Sequence, residues 1–339
     1  MNIVNLGQFN FLSMNNSRRQ FIKTGLALAS GALLTSDSYA EKIFSPVRSG
    51  VTSAESVSHP VCVFTKCLQY LDYDQLALTI AKAGYDGADL SVRAGGHVLP
   101  ESVRKDLPRA VKALEKAGVS TPMMVTTIVD ADDKYTEPVL GTAADLGIKY
   151  YRMGYLDYDK SKTIPQNIDT HRKAFEKLEK INRKYGIHGS YQNHSGNRVG
   201  GSVWDLYLII KDLDPKYIGI QYDIRHAIFE GAQSWTVGMD LVAPWISSCP
   251  IKDFFWKKER NRWMANDVPL GEGMVNFDTF LKKYKELKLS GPFSLHLEYD
   301  LGGADKGSRT PTMPHEEIAG YLKADIDWFR NKLMIHNIS

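Results

Sequence analysis

The chain has 339 residues, 43% apolar and 24% charged, with 27 Gly and 14 Pro, a globular balance long enough for one large α/β domain or two smaller ones. A formal charge of +3 is too small to argue for nucleic acid or an anionic membrane as partner, and the longest basic segment, FFWKKERNRW, reads as solvated loop. Cys62, Cys67 and Cys249 lack CxxC spacing, so buried thiols are expected rather than a disulfide framework.

In chain order, the first signal is NSRRQFIKTGLALASGALLTSDSYA, where Arg18–Arg19 precedes a modestly apolar run and a small-x-small site ending at Ala40. It resembles a twin-arginine export signal, and so predicts a signal peptide over 1–40 and a periplasmic destination. The apolar stretch is too short and too rich in Gly and Ser for a stable membrane span, and no cysteine near the cleavage point offers a lipid anchor. Residues 41–58 read as a linker to the mature domain.

From residue 60, short apolar runs alternate with amphipathic stretches. The strand candidates are VCVFT (61–65), GADLSV (87–92), TPMMVTT (121–127), IKYYRMG (148–154), IHGSYQN (187–193), YIGIQYD (217–223), SCPIKDF (248–254) and FSLHLEY (293–299). Between them, YDQLALTIAKAG and ESVRKDLPRAVKALEKAG place apolar residues three and four apart, the period of a helix with one buried face. Each closes on a glycine suited to a left-handed C-cap. DTHRKAFEKLEKINRKYG, FDTFLKKYKELK and HEEIAGYLKADIDWFRNKL carry the same spacing. Eight strand–helix units in about 280 residues are the count and size of a (β/α)8 TIM barrel. A doubly wound sheet would use fewer strands, and no GxGxxG follows the first. Residues 59–339 therefore read as a single α/β domain.

In such a barrel the chemistry gathers at the C-terminal strand ends, and here every strand ends in charged or hydrogen-bonding residues. Strand one ends at Lys66, strand two runs into Arg93 and His97, strand three ends at Thr126 and Thr127, and strand four holds Arg152. Strand five supplies Gln192, Asn193 and His194, and strand six Asp223, Arg225 and His226. Strand seven brings Lys252 and Asp253, and strand eight His296 and Glu298. Each has a bland alternative: Asp223 and Glu298 could cap the following helices, and each cation could be an ion-pair partner in the barrel mouth. Alternation along a strand nevertheless puts His296 and Glu298 on one face, and carboxylates beside imidazoles suit Mg²⁺, Mn²⁺ or Zn²⁺. Lys66, Arg93 and Arg152 together suit an anionic or hydroxyl-rich ligand, with His97 and His296 as further substrate contacts. Trp235, Trp256 and Trp263 fall in late loops, where an indole face can pack a sugar ring; Trp256 is taken as the substrate contact.

The segments GYDGADLSVRAGGHVLPE, YQNHSG, QYDIRHAIFEG, IKDFFW, PLGEGMVNF and LHLEY together resemble the xylose isomerase-like TIM-barrel family of sugar phosphate isomerases and epimerases. The resemblance implies one divalent metal held by a Glu ending strand five, an Asp on six, a His on seven and a Glu on eight. Carried across, Asp223 and Glu298 match two ligands, His226 matches a substrate-contacting histidine, and Gly271 and Gly273 match a tight turn before the seventh helix. Two positions depart: Gln192 stands where the acid is expected, and Pro250 where the histidine is expected. An amide oxygen can coordinate but cannot take a proton as a carboxylate does. The expected metal set is therefore Gln192, Asp223 and Glu298, short of one charge and one imidazole. His194 or His296 is positioned to compensate, and Lys252 to supply positive charge.

Family epimerases place carboxylates on both faces of the substrate, whereas here Glu298 is the one clear carboxylate base. A single base suits isomerisation, β-elimination or hydration. The sequence thus predicts an exported carbohydrate-active enzyme of the isomerase/epimerase type, removing a proton next to a carbonyl of a sugar or keto-sugar. Glu298 would be the base, His194 or His226 the acid, and Lys252 a further catalytic group. The alternatives are a lyase or hydratase acting on 3-keto-sugars or glycosides, and a non-catalytic sugar-binding protein derived from such an enzyme. The expected partner is a small carbohydrate, not nucleic acid, and homo-oligomerisation is left open.

Overall fold

Eight short strands close on themselves in the computed structural model, which describes residues 59–338. The expected signal peptide and linker, 1–40 and 41–58, lie outside the described residues. The barrel strands are β1 (Val61–Phe64), β2 (Gly87–Ser91), β3 (Ser120–Val125), β4 (Tyr150–Arg152), β5 (His188–Gln192), β6 (Ile218–Gln221), β7 (Ile246–Ile251) and, after an inserted pair, β10 (Phe293–Leu295). They pair in parallel in the closed order β1-β10-β7-β6-β5-β4-β3-β2, as the strand–helix alternation predicts. Most strand residues are buried, as parallel strands covered on both sides require.

The helices return the chain outside the barrel. Tyr73–Ala83 begins with a capping box between Asp72 and Gln75 and ends at Gly84 with φ 95°, the left-handed stop its sequence announces. Ile164–Tyr185 repeats the device, with Thr163 and Gln166 at one end and Gly186 at the other. Three tyrosines peg neighbouring strands to this shell. Tyr151 donates to Asn182 Oδ1 at 3.0 Å, Tyr191 to the Val199 carbonyl at 3.0 Å, and Tyr222 to the Trp235 carbonyl at 3.0 Å. Each is fully buried, so an unpaired hydroxyl would carry a desolvation cost. Cys62, Cys67 and Cys249 are free and buried. Among the described residues no helix is long and apolar enough to cross a membrane.

The segment expected to be loop, FFWKKERNRW, is instead an antiparallel hairpin between β7 and β10: β8 (Asp253–Glu259) and β9 (Arg262–Val268). Arg260 and Asn261 turn it with φ of 45° and 63°, the doubly left-handed turn that matches strand twist. Its strands are exposed over much of their length, so no buried stripe marks them in the sequence. The hairpin base is set by Asp253, whose carboxylate accepts the backbone N–H groups of Phe254, Gly271, Gly273 and Val275 at 2.8–3.1 Å. Gly271 sits at φ 84°, and a Cβ on Gly273 would collide with the Asp253 carboxylate. This cage fixes the backbone one residue beyond Lys252. Gly273→Ala is expected to cost about 2 kcal/mol or more, read as a lowered urea midpoint with an unchanged m-value.

Candidate active site

The strand registers bring the polar ends to one mouth, Phe64 lying beside Asp89, Gln192 beside Gln221, and Ile251 beside Leu295. At its centre is the ammonium of Lys252, 3% exposed as a side chain. It contacts Asp223 Oδ2 at 3.1 Å, Glu298 Oε2 at 2.9 Å and His226 Nε2 at 2.9 Å, one partner for each of its three N–H groups. Burial alone would lower its pKa, but Asp223 and Glu298 outweigh burial and raise it, so the lysine stays charged.

The partners are themselves held. Asp223 caps the helix Ile224–Gly231 by accepting from the His226 N–H, so the capping role and the place in the cluster coexist. Asn193 braces it from both sides, accepting the Asp223 N–H at 2.7 Å and donating to its carbonyl at 3.0 Å. Gln192 donates to Asp223 Oδ2 at 2.7 Å, while its Oε1 accepts from Arg152 at 2.9 Å and from the Tyr155 hydroxyl at 2.7 Å. Glu298 Oε1 takes the Lys66 ammonium at 2.8 Å. Burial alone would raise the Glu298 pKa, but Lys252 and then Lys66 hold it well below the usual carboxylate range. Glu298 is thus an anion with each oxygen paired to one ammonium.

Three imidazoles surround this pair, all with lowered pKa values from burial first and Lys252 nearby. His226 Nε2 lies 2.9 Å from the Lys252 ammonium, and its Nδ1 lies 2.9 Å from Ser195 Oγ and 3.2 Å from the Arg225 guanidinium. His194, brought to about pKa 4, places Nδ1 at 2.9 Å from the Ser195 carbonyl. That contact needs the hydrogen on Nδ1 and leaves Nε2 with a lone pair. The two rings lie 3.9 Å apart. Arg225 donates to Asp267 of β9 at 2.9 Å and to Ser195 Oγ at 3.3 Å, tying the hairpin to the histidine pair.

Other expected contacts are placed differently. His296 lies beneath the mouth, its ring 4.7 Å from Phe64, with Asp89 at 3.9 Å and Glu298 at 4.0 Å and neither ring nitrogen hydrogen-bonded. His97 is turned to the Leu68 carbonyl at 3.1 Å, a tie between two loops rather than a ligand contact. Trp256 stands on the hairpin against Phe229 and Phe254, Trp263 is 64% exposed, and Trp235 is buried. Arg93 and Arg152 both lie over the Phe64 ring. Phe64, Tyr155 and Ser195 were not singled out in the sequence: Phe64 reads as strand core, and only the fold brings the other two to the site.

The expected divalent metal does not suit this donor set. The point between Asp223 and Glu298 holds an ammonium, Gln192 Oε1 already accepts two hydrogen bonds, and β7 presents Pro250 in place of an imidazole. Among the described residues no group of three or more His, Cys, Asp and Glu side chains could hold a metal ion. Of the expected metal set Gln192, Asp223 and Glu298, the two acids meet around the Lys252 ammonium and Gln192 donates to Asp223. Lys252→Ala would leave the buried Asp223 carboxylate without its cation, and is expected to cost about 3–5 kcal/mol by urea denaturation.

The family model for the xylose isomerase-like TIM barrel matches residues 77–332. The crystal structure of a D-tagatose 3-epimerase-like protein superposes with a TM-score of 0.61 at 16% identity, covering 82% of this chain and 98% of that one. The probable 3-DHS dehydratase of petrobactin synthesis from Bacillus anthracis gives 0.56 at 13% identity, covering 80% and 99%. An uncharacterised protein of Methanocaldococcus jannaschii is 25% identical over 150 residues, 42% of this chain and 47% of that protein. The chain thus matches about half the length of that relative. At these identities the superpositions speak for the fold.

Proposed function

The chain belongs to the xylose isomerase-like TIM barrel family, and from that premise we propose that it is a carbohydrate-active enzyme removing a proton next to the carbonyl of a sugar or keto-sugar. The observation that carries this reading is a neutral imidazole with a free lone pair, His194 Nε2, beside a buried cluster rich in N–H donors. His194 is the base. Lys66 spends one N–H on Glu298 and has two to offer the oxygen that gains negative charge as the proton leaves. Glu298 aims Lys66, and the fixed charge of Lys252 lowers the cost of that oxyanion in a site of low dielectric. His226, held by Lys252 and Ser195, lies against the His194 ring, and the His194 imidazolium returns the proton it has taken.

With the base on one side, the arrangement fits same-face proton transfer, as in isomerisation, or β-elimination from the carbon beyond. Two-carboxylate epimerisation lacks its second carboxylate, since Gln192 is an amide. The elimination reading balances on one ring: His194 takes the proton, and its imidazolium then protonates a leaving hydroxyl on the same face. A superposed structure named as a probable dehydratase agrees with it. The Arg18–Arg19 segment adds export and a periplasmic setting to the proposal.

Incubating the protein with aldoses, ketoses and 3-keto-glycosides in D₂O tests this directly. Deuterium is expected at the carbon next to the carbonyl by ¹H NMR, and His194→Gln is expected to slow its entry on the order of 10²–10⁴-fold. A protein that binds these sugars and exchanges nothing is a binding protein, and the proposal fails.

A further inference from the structure

Three cations converge on one phenyl ring at the mouth. The Lys66 ammonium is 5.7 Å from the Phe64 centroid, the Arg93 guanidinium 5.4 Å and the Arg152 guanidinium 5.7 Å. Lys66 is answered by Glu298. The two arginines have no such answer: among the described residues no carboxylate lies within ion-pair distance of either. Arg152 is 5% exposed, donates to the neutral Tyr155 hydroxyl and Gln192 amide oxygen, and keeps a buried Nε with no partner. Arg93, half-buried, rests on the ring with no hydrogen bond. Burial first, and Arg152 next, lower its pKa, outweighing the more distant Asp89 and Glu298, which act the other way.

Stacking on an aromatic face recovers only about 0.5–2 kcal/mol for a cation, less than withdrawal of a guanidinium from water normally demands. Proteins usually cancel that cost with a carboxylate from a neighbouring element. Here the neighbouring side chains, Tyr155 and Gln192, are uncharged, so the missing anion must come from outside. Guanidinium groups present paired N–H donors that match the oxygens of a carboxylate or phosphate.

We infer that Arg93 and Arg152, backed by Phe64, form an oxyanion subsite, and that the sugar carries a carboxylate or phosphate group seated there. This rests on the reading of the mouth as a sugar site, and it names the substrate class: uronates, aldonates or sugar phosphates rather than neutral sugars. The oxyanion anchors one end of the molecule while the carbonyl end meets Lys66 and His194.

Binding without turnover tests it. Calorimetric titrations of the purified protein with D-glucose, D-glucuronate and glucose 6-phosphate are expected to show one of the two anions binding at least about tenfold tighter than glucose. Which anion does so identifies the carboxylate or the phosphate as the partner. Arg93→Gln is expected to erase that preference, and Arg93→Lys to restore part of it. Arg93 makes no hydrogen bond, so the variants keep the fold, which circular dichroism checks. Equal affinity for all three sugars, no binding of either anion at millimolar concentration, or a preference that survives in Arg93→Gln overturns the subsite. Exchange on neutral keto-sugars without anion preference would leave the proposed reaction standing and this inference fallen. Anion preference without exchange would do the reverse.

Discussion

A charged ammonium can stay in a protein interior only if every one of its hydrogens meets an acceptor and its charge is balanced close by. Lys252 meets both demands through Asp223, Glu298 and His226, and the surrounding residues follow from that requirement. Asp223 Oδ1 accepts a helix N–H, and its Oδ2 is shared by Lys252 and Gln192. Gln192 must donate to Asp223 and accept from Arg152 and Tyr155 at once. A glutamate there could accept from Arg152 and Tyr155 but could not donate to Asp223. The amide at 192 and the proline at 250 are thus consistent with one another: the position between the acids is filled by the protein's own cation.

The same constraint shapes the chemistry. Burial first and Lys252 next suppress protonation of His194 and His226, and Lys252 holds Glu298 as an anion. In the proposed reaction, protons move through an imidazole and the carboxylates serve as counter-charges. Asn193, Asp253 and the Gly271–Gly273 loop position these groups without touching a substrate, which is how the inserted hairpin and β6 contribute to the site.

Much of this fold is legible in the sequence because barrel strands are buried on both faces and helices on one. VCVFT and IHGSYQN could be nothing exposed, and Gly84 and Gly186 close helices whose apolar spacing is unbroken. The convergence of Lys66, Asp223, Lys252 and Glu298 follows from the rule that chemistry lies at C-terminal strand ends, although those four residues span most of the domain. What the sequence does not reveal is which atoms meet. Lys252 reads as one more cation until the fold places it between two acids. His97 and His296 look equivalent on strand-end logic, yet one ties loops and the other is buried under the mouth. The hairpin escapes because exposed strands leave no apolar stripe, and Phe64 escapes because a phenylalanine in a strand reads as core.

The account stands or falls on whether Lys252 is the resident cation of the site. The most direct measurement is metal content of the purified mature protein by mass spectrometry, followed by calorimetric titration with Mn²⁺, Mg²⁺ and Zn²⁺. The account predicts less than a tenth of an equivalent of bound metal, roughly, and no saturable binding below millimolar concentration, since a divalent ion would have to expel a buried ammonium. One equivalent of tightly held metal, lost when Asp223 or Glu298 is replaced by alanine, would contradict it.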